Sequence, residues 1–172
     1  MGSFVHNSFT FNEISIRTIK EKDNKPVAGI IRATLKEFGA NHPGTVYYDE
    51  STDHLFETFH TTPRSIYFVA EYEGEVIGGA GIFPSPGLPA DTCELVKMYL
   101  LPQVRGMGLG RNLIQKCIDY AVSAGYQQIY LESMPELKKA LTIYEKFGFE
   151  YLKGPMGNTG HFGCELWMIK KL

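Results

Sequence analysis

The chain has 172 residues, 44% of them hydrophobic and 21% charged, with a formal net charge of −2 at pH 7. That length and balance fit a single domain over 1–172, with 1–12 as a loosely ordered N-terminal arm, and exclude a polyanion-binding surface, so no nucleic-acid partner is expected. No apolar run reaches the ~18 residues of a membrane span, the start lacks a signal peptide's basic and apolar regions, and the three cysteines (Cys93, Cys117, Cys164) form no CxxC pair, so a cytoplasmic protein with reduced thiols is expected.

Ile14 to Ile19 alternates and reads as a first strand. Asp23 stands where it could cap a following helix, with Pro26 in the first turn, Ile30, Ile31, Thr34, Leu35 and Phe38 as its apolar face, and Gly39 as its end. Asn41-His42-Pro43-Gly44 suggests a turn, and Leu55-Phe56-x-x-Phe59 a short helix. Ser65–Tyr72 and Val76–Phe83, joined by Glu73-Gly74-Glu75, read as a hairpin. The prolines of 83–89 force a loop. Cys93–Leu101 is apolar on both faces and reads as a central strand. A helix over Gly108–Ala124, ended by Gly125, carries Leu109, Leu113, Ile114, Cys117, Ile118 and Ala121 at helical spacing. A short strand at Gln128–Glu132, a helix over Glu136–Phe147 stopped by Gly148, and strands near Glu150–Leu152 and Cys164–Ile169 complete the chain. A hairpin combined with two strand–helix–strand crossovers defines an α/β protein with a mixed sheet.

Gln103-Val104-Arg105-Gly106-Met107-Gly108-Leu109-Gly110 lies between the central strand and its helix. Glycines at alternate positions bare backbone N–H groups at a helix N-terminus, where the dipole also favours an anion. Such a turn can seat a pyrophosphate, and an arginine in it can add a charge-assisted bond. A dinucleotide fingerprint would need its third glycine one residue later, where Arg111 stands.

The run Arg105-x-x-Gly108-x-Gly110 resembles the acyl-CoA signature of the GNAT superfamily of N-acetyltransferases. Cys93–Leu100 resembles that family's fourth strand, Ala140-Leu141-x-x-Tyr144-Glu145-Lys146-Phe147-Gly148-Phe149 its last helix and following turn, and Trp167-Met168 its closing strand. The resemblance implies a mostly antiparallel, twisted mixed sheet with splayed central strands and about four flanking helices. It implies acetyl-CoA as co-substrate, without a metal, and transfer of the acetyl group to a primary amine of a small molecule or peptide. It leaves a homodimer open.

By the same resemblance, Met98, Tyr99 and Leu100 would bind pantetheine through backbone groups, with an N–H near Met98 or Tyr99 on the oxyanion. Arg105, Gly106, Met107, Gly108, Leu109 and Gly110 would hold the pyrophosphate. Tyr144 would protonate the leaving thiolate, and Glu94 would act as general base. Leu137 stands where many members carry a pantetheine-binding asparagine.

Several residues keep two readings. Tyr144 also falls at core spacing with Ala140, Leu141 and Phe147. Glu94 is a base or a charged residue at a strand entrance. Glu132 shares the base role or caps Ser133–Lys138. Asn158 and His161, in the Gly-rich loop 154–163, contact the acceptor or satisfy the loop's own backbone. Tyr47, Tyr48, Phe56 and Phe59, beside Asp49, Glu50 and Asp53, greet a cationic amine or pack on the sheet with a solvated acidic edge. Cys93 and Cys164 are nucleophiles or pack in strands, and no sequence cue lowers either thiol's pKa. His6, His42, His54 and His60 lack metal-ligand spacing. An acyl-CoA-binding regulatory domain without turnover is the alternative function, and a nicotinamide-binding enzyme a more distant one.

Overall fold

The computed structural model describes residues 13–172; the arm expected at 1–12, with His6, lies outside them. Strand β1 (Ser15–Thr18) leads through a 3-10 turn, Glu21–Asp23, into α1 (Asn24–Glu37). Asp23 makes no side-chain cap to α1. It is buried, and its carboxylate accepts from the Lys20 amide at 2.7 Å and from the Arg17 guanidinium at 2.7 and 3.0 Å. The arginine, also bound to Glu71, draws the carboxylate back toward β1 and away from the helix.

Helix α2 (Leu55–Thr61) precedes the hairpin β2 (Ile66–Tyr72) and β3 (Glu75–Phe83). Glu73 and Gly74 both have positive φ, the backbone of a two-residue hairpin turn. Then follow β4 (Thr92–Leu100), α3 (Leu109–Ser123), β5 (Gln128–Ser133), α4 (Lys138–Lys146), β6 (Glu150–Leu152) and β7 (Leu166–Lys171). Helix α4 starts two residues later than its periodicity suggests, because the Leu137 amide closes a turn on the Met134 carbonyl at 3.1 Å. Strand β7 likewise starts after Cys164, whose amide bonds the His161 carbonyl at 3.0 Å. Helices α1, α3 and α4 end alike: the amide beyond Gly39, Gly125 or Gly148 reaches back to the carbonyl five residues earlier.

The seven strands form one sheet, ordered β1-β2-β3-β4-β5-β7-β6. Every neighbouring pair is antiparallel except β4–β5. That parallel contact holds only from Thr92 to Glu94, opposite Gln128 to Tyr130. Past Glu94 the two strands part, and the edge of β4 facing β5 is left unpaired. The apolar clusters explain the layering. Leu109, Leu113, Ile114 and Cys117 of α3 and Leu141 and Tyr144 of α4 fill one cluster; Ile31 and Leu35 of α1 and Leu55 and Phe59 of α2 fill another with Tyr67 and Val69. Among the described residues no helix is long and apolar enough to cross a membrane.

Candidate active site

The opening between β4 and β5 is a cleft of about 960 Å³. At one end stands the glycine turn. Gly106 and Gly108 have φ of +79° and +86°, the left-handed backbone that glycine adopts freely, and nothing lies within 4 Å of where their Cβ atoms would be. Gly108 caps α3 without a side-chain bond. The amides of the first turn, Leu109 to Arg111, therefore have no carbonyl one turn back to pair with. Gly106, Gly108, Gly110 and Arg111 line the cleft, and Lys138, Lys139 and Lys146 of the α4 segment add positive charge to its wall. Sequence reasoning passed over those four cations, although their place on the helices flanking the turn was readable.

The other expected cofactor residues divide. Met98, Tyr99 and Leu100 line the cleft along the unpaired edge. Leu109 is buried in the core and Met107 packs against it, so only their backbone is left for a ligand. Arg105 lines the cleft, but its guanidinium is engaged within the protein. Its Nη1 and Nη2 meet both Glu37 carboxylate oxygens at 2.9 Å, while Nε and Nη2 donate to the Leu100 carbonyl at 3.1 and 3.0 Å. Arg105 thus ties α1 to the rim of β4, a role the turn pattern alone did not reveal.

Two buried side chains able to exchange a proton, Glu94 and Tyr144, also line the cleft. Glu94 is 5% exposed and bonded by the Ser85 hydroxyl. Burial pushes its carboxyl up to about 7, against the opposing pull of Ser85. It is poised to exchange a proton near neutrality. Tyr144 is 7% exposed, packs edge-on to Phe149 and borders the cleft. Burial raises its phenol, which keeps the proton on the oxygen. Its hydroxyl bonds no other described residue. Leu137 also lines the cleft and brings no polar group to it.

His161 is the hub of a charge network. Its Nε2 lies 2.6 Å from Asp49 Oδ2 and its Nδ1 3.4 Å from Glu132 Oε1. Burial alone would lower its pKa, but the two carboxylates outweigh this and lift it to about 9, so the ring is an imidazolium at neutral pH. Asp49 and Glu132 are each pulled below the usual carboxylate range despite burial, Asp49 first by His161, and Glu132 by His161, Thr159 and Tyr130. The Thr159 hydroxyl donates to Glu132 at 2.5 Å and the Tyr130 hydroxyl at 2.9 Å. Glu132 is thus fully engaged and does not cap Ser133–Lys138. Asn158 is not brought in: it is exposed, lines neither this cleft nor the smaller cavity beside it, and its amide bonds the Pro86 carbonyl at 2.8 Å.

Of the acidic edge near Tyr47, only Asp49 enters the site; Asp53 pairs with Arg32 at 2.6 Å. Phe59 packs on Tyr67 and Phe83, and Phe56 stacks on His60. The three cysteines are free and buried, and burial raises the thiol pKa of Cys93 and of Cys164 to about 12, far from thiolate chemistry. Among the described residues no group of three or more His, Cys, Asp or Glu is placed to hold a metal ion.

An open-edged strand, a glycine turn with unpaired amides at a helix N-terminus, a buried carboxyl and a buried phenol thus border one cleft. The family model "Acetyltransferase (GNAT) family" matches residues 30–149. An uncharacterized N-acetyltransferase of Escherichia coli K12, YjgM, is 39% identical over 91% of this chain and 94% of its own. An acetyltransferase structure from Staphylococcus aureus Mu50 superposes with a TM-score of 0.76 at 16% identity, over 92% of this chain and 98% of that one. YncA of Salmonella typhimurium, a structure with acetyl-CoA, superposes with a TM-score of 0.70 at 19% identity, over 92% and 93%. The chain belongs to the GNAT acetyltransferase family and is an acyltransferase.

Proposed function

We propose that this protein transfers an acetyl group from acetyl-CoA to a primary amine of a small molecule or peptide, directly, within one ternary complex. The observation that carries the reading is the continuity of the cleft: one space is lined by the glycine turn, the unpaired edge of β4, Tyr144, Glu94 and His161. A pyrophosphate fits the turn, a pantetheine arm fits the strand edge as an added strand, and the apolar wall suits a thioester.

Acetyl-CoA supplies an activated acetyl group, whose carbon forms the new C–N bond as its C–S bond breaks. Glu94, directly or through a water, accepts a proton from the acceptor ammonium, because its raised pKa leaves it a competent base near neutral pH. A β4 amide at Met98 or Tyr99 donates to the developing oxyanion and stabilises its charge. Tyr144 donates its proton to the departing thiolate, and the second proton lost from the nitrogen restores the phenol. The cleft holds both reactants in line, which removes much of the entropic barrier. The three buried free thiols support a reducing compartment, the cytoplasm.

The test is calorimetry with acetyl-CoA followed by thiol-release assays over an amine panel. Binding with turnover is expected. Binding without turnover on any amine would favour a regulatory acyl-CoA-binding domain, and stabilisation by a nicotinamide nucleotide instead of CoA would discard the reading.

A further inference from the structure

We propose that the acceptor is a small amino carboxylate, with a carboxylate close to the amine that is acetylated, and that the Lys97 ammonium holds that carboxylate. The inference rests on the acetyl-transfer reading above and names the acceptor of the same site.

Lys97 lies in the middle of β4, where the register to β3 jumps from Tyr99 opposite Gly79 to Val96 opposite Gly81. The extra residue makes a bulge, and Lys97 takes φ of +51°, a left-handed backbone unusual for a side chain of its size. The bulge is built in. The Tyr67 ring occupies the space that Cβ atoms on Gly79 and Gly81 would need, and its hydroxyl donates to the Lys97 carbonyl at 2.8 Å. In a regular strand, residues three apart face opposite sides. Here the bulge breaks the alternation, so Glu94 and Lys97 border the same two spaces, the main cleft and a smaller cavity of about 150 Å³.

The Lys97 side chain is 11% exposed, and the carboxylate it pairs with, Asp49, is 3.9 Å away, beyond hydrogen-bond reach. The ammonium makes no hydrogen bond to any described residue. The ammonium is held by that longer ion pair alone, and a cation short of hydrogen-bond partners at the wall of a cleft is one that an anionic ligand would stabilise. The surrounding charges sharpen the point. Asp49 and Glu132 already share the His161 imidazolium. Lys97 and Glu94 are the cation and the carboxyl left at the junction, matched to the two ends of an amino carboxylate: its carboxylate on Lys97, its nitrogen toward the base. The smaller cavity, walled by Leu55, Phe59, Phe83 and Pro86, has the volume of a few water molecules at ~30 Å³ each, which keeps the acceptor head small.

The experiment compares matched acceptors on the wild-type protein: an amino acid, its amide and its decarboxylated amine, at equal free-amine concentration with saturating acetyl-CoA. Expected is a kcat/KM ~10–100-fold higher for the free carboxylate, the range of one hydrogen bond to a charged group, and collapse of that preference in Lys97→Met with acetyl-CoA affinity retained. Amides or simple amines acetylated as well as the amino acids would overturn the carboxylate class and leave acetyl transfer standing. A preference that survives in folded Lys97→Met would overturn Lys97 as its holder. Acetyl-CoA bound but transferred to no member of any set would overturn the acetyl-transfer reading and this inference together. The comparison on the wild-type protein needs no variant, so a misfolded Lys97→Met does not shield the inference.

Discussion

Replacing His161 with alanine removes the cation that Asp49 and Glu132 share. The ring's pKa rises from 6.5 to about 9 in the folded protein. At ~1.4 kcal/mol per tenfold change in proton affinity, that corresponds to ~3 kcal/mol of stability from the protonated ring, which residual solvent access lowers to ~2 kcal/mol. The sign follows from the rise. The contribution is complete below the unfolded value of 6.5 and fades as pH climbs through the folded value of about 9. His161→Ala should therefore melt ~4–8 °C below wild type at about pH 6, with the gap narrowing by about pH 10. Thermal melts of both proteins across that range are the assay. Acceptor KM should rise in the same variant while acetyl-CoA affinity holds, because the ring borders the acceptor end and not the glycine turn. A gap equal at both pH extremes would refute the shared-cation argument, since neutral packing does not titrate. A melting deficit with wild-type acceptor kinetics would confine His161 to tying down its loop.

Tyr144→Phe should keep acetyl-CoA affinity and lower kcat by ~10²–10⁴-fold, as expected when a general acid alone is removed; an unchanged rate in stopped-flow or steady-state assays would make Tyr144 a core aromatic only. Ser85→Ala removes the hydrogen bond that opposes the upward push on Glu94, so the acid limb of the kcat/KM profile, set near 7, should move to higher pH. Glu94→Gln should lose that limb and recover part of its rate at high pH, where free amine is available; a loss independent of pH would argue against the base role. Gly108→Val forces a β-branched residue into the left-handed backbone of the turn and should weaken acetyl-CoA binding in calorimetry while the fold persists; unchanged affinity would move the pyrophosphate elsewhere.

Periodicity and glycine spacing made most of the frame readable. Helix α3 and its turn, the hairpin and the ends of α1 and α4 all follow from local chemistry, in which one residue type meets one backbone need. The parting of β4 from β5 was implied by family resemblance alone, because pairing that stops at Glu94 is a matter of register between distant strands. Asp49 and His161 are 112 residues apart, and no local pattern joins them. Lys97 stood in plain view as a charge inside Cys93–Leu101, three residues after Glu94. Simple alternation sends those two to opposite faces, and only the bulge over Tyr67 reunites them. Arg105 makes a further tie that its place beside glycines does not announce: its guanidinium pairs with Glu37, 68 residues earlier.

The polar network around Glu94 and Glu132 is assembled from three separate connections, each contributing one or two groups: Asp49 ahead of α2, Ser85 between β3 and β4, and Thr159 with His161 between β6 and β7. None of these segments belongs to the hydrogen-bonded ladder that holds β4 open. Their groups meet one another through side-chain bonds, so a change in one of them alters that network and leaves the glycine turn and the strand edge in place. The stretch matched by the family model ends at residue 149, short of Thr159 and His161. The Glu94 end of the cleft therefore rests on contacts between connections, while the glycine turn and the strand edge rest on the sheet and α3.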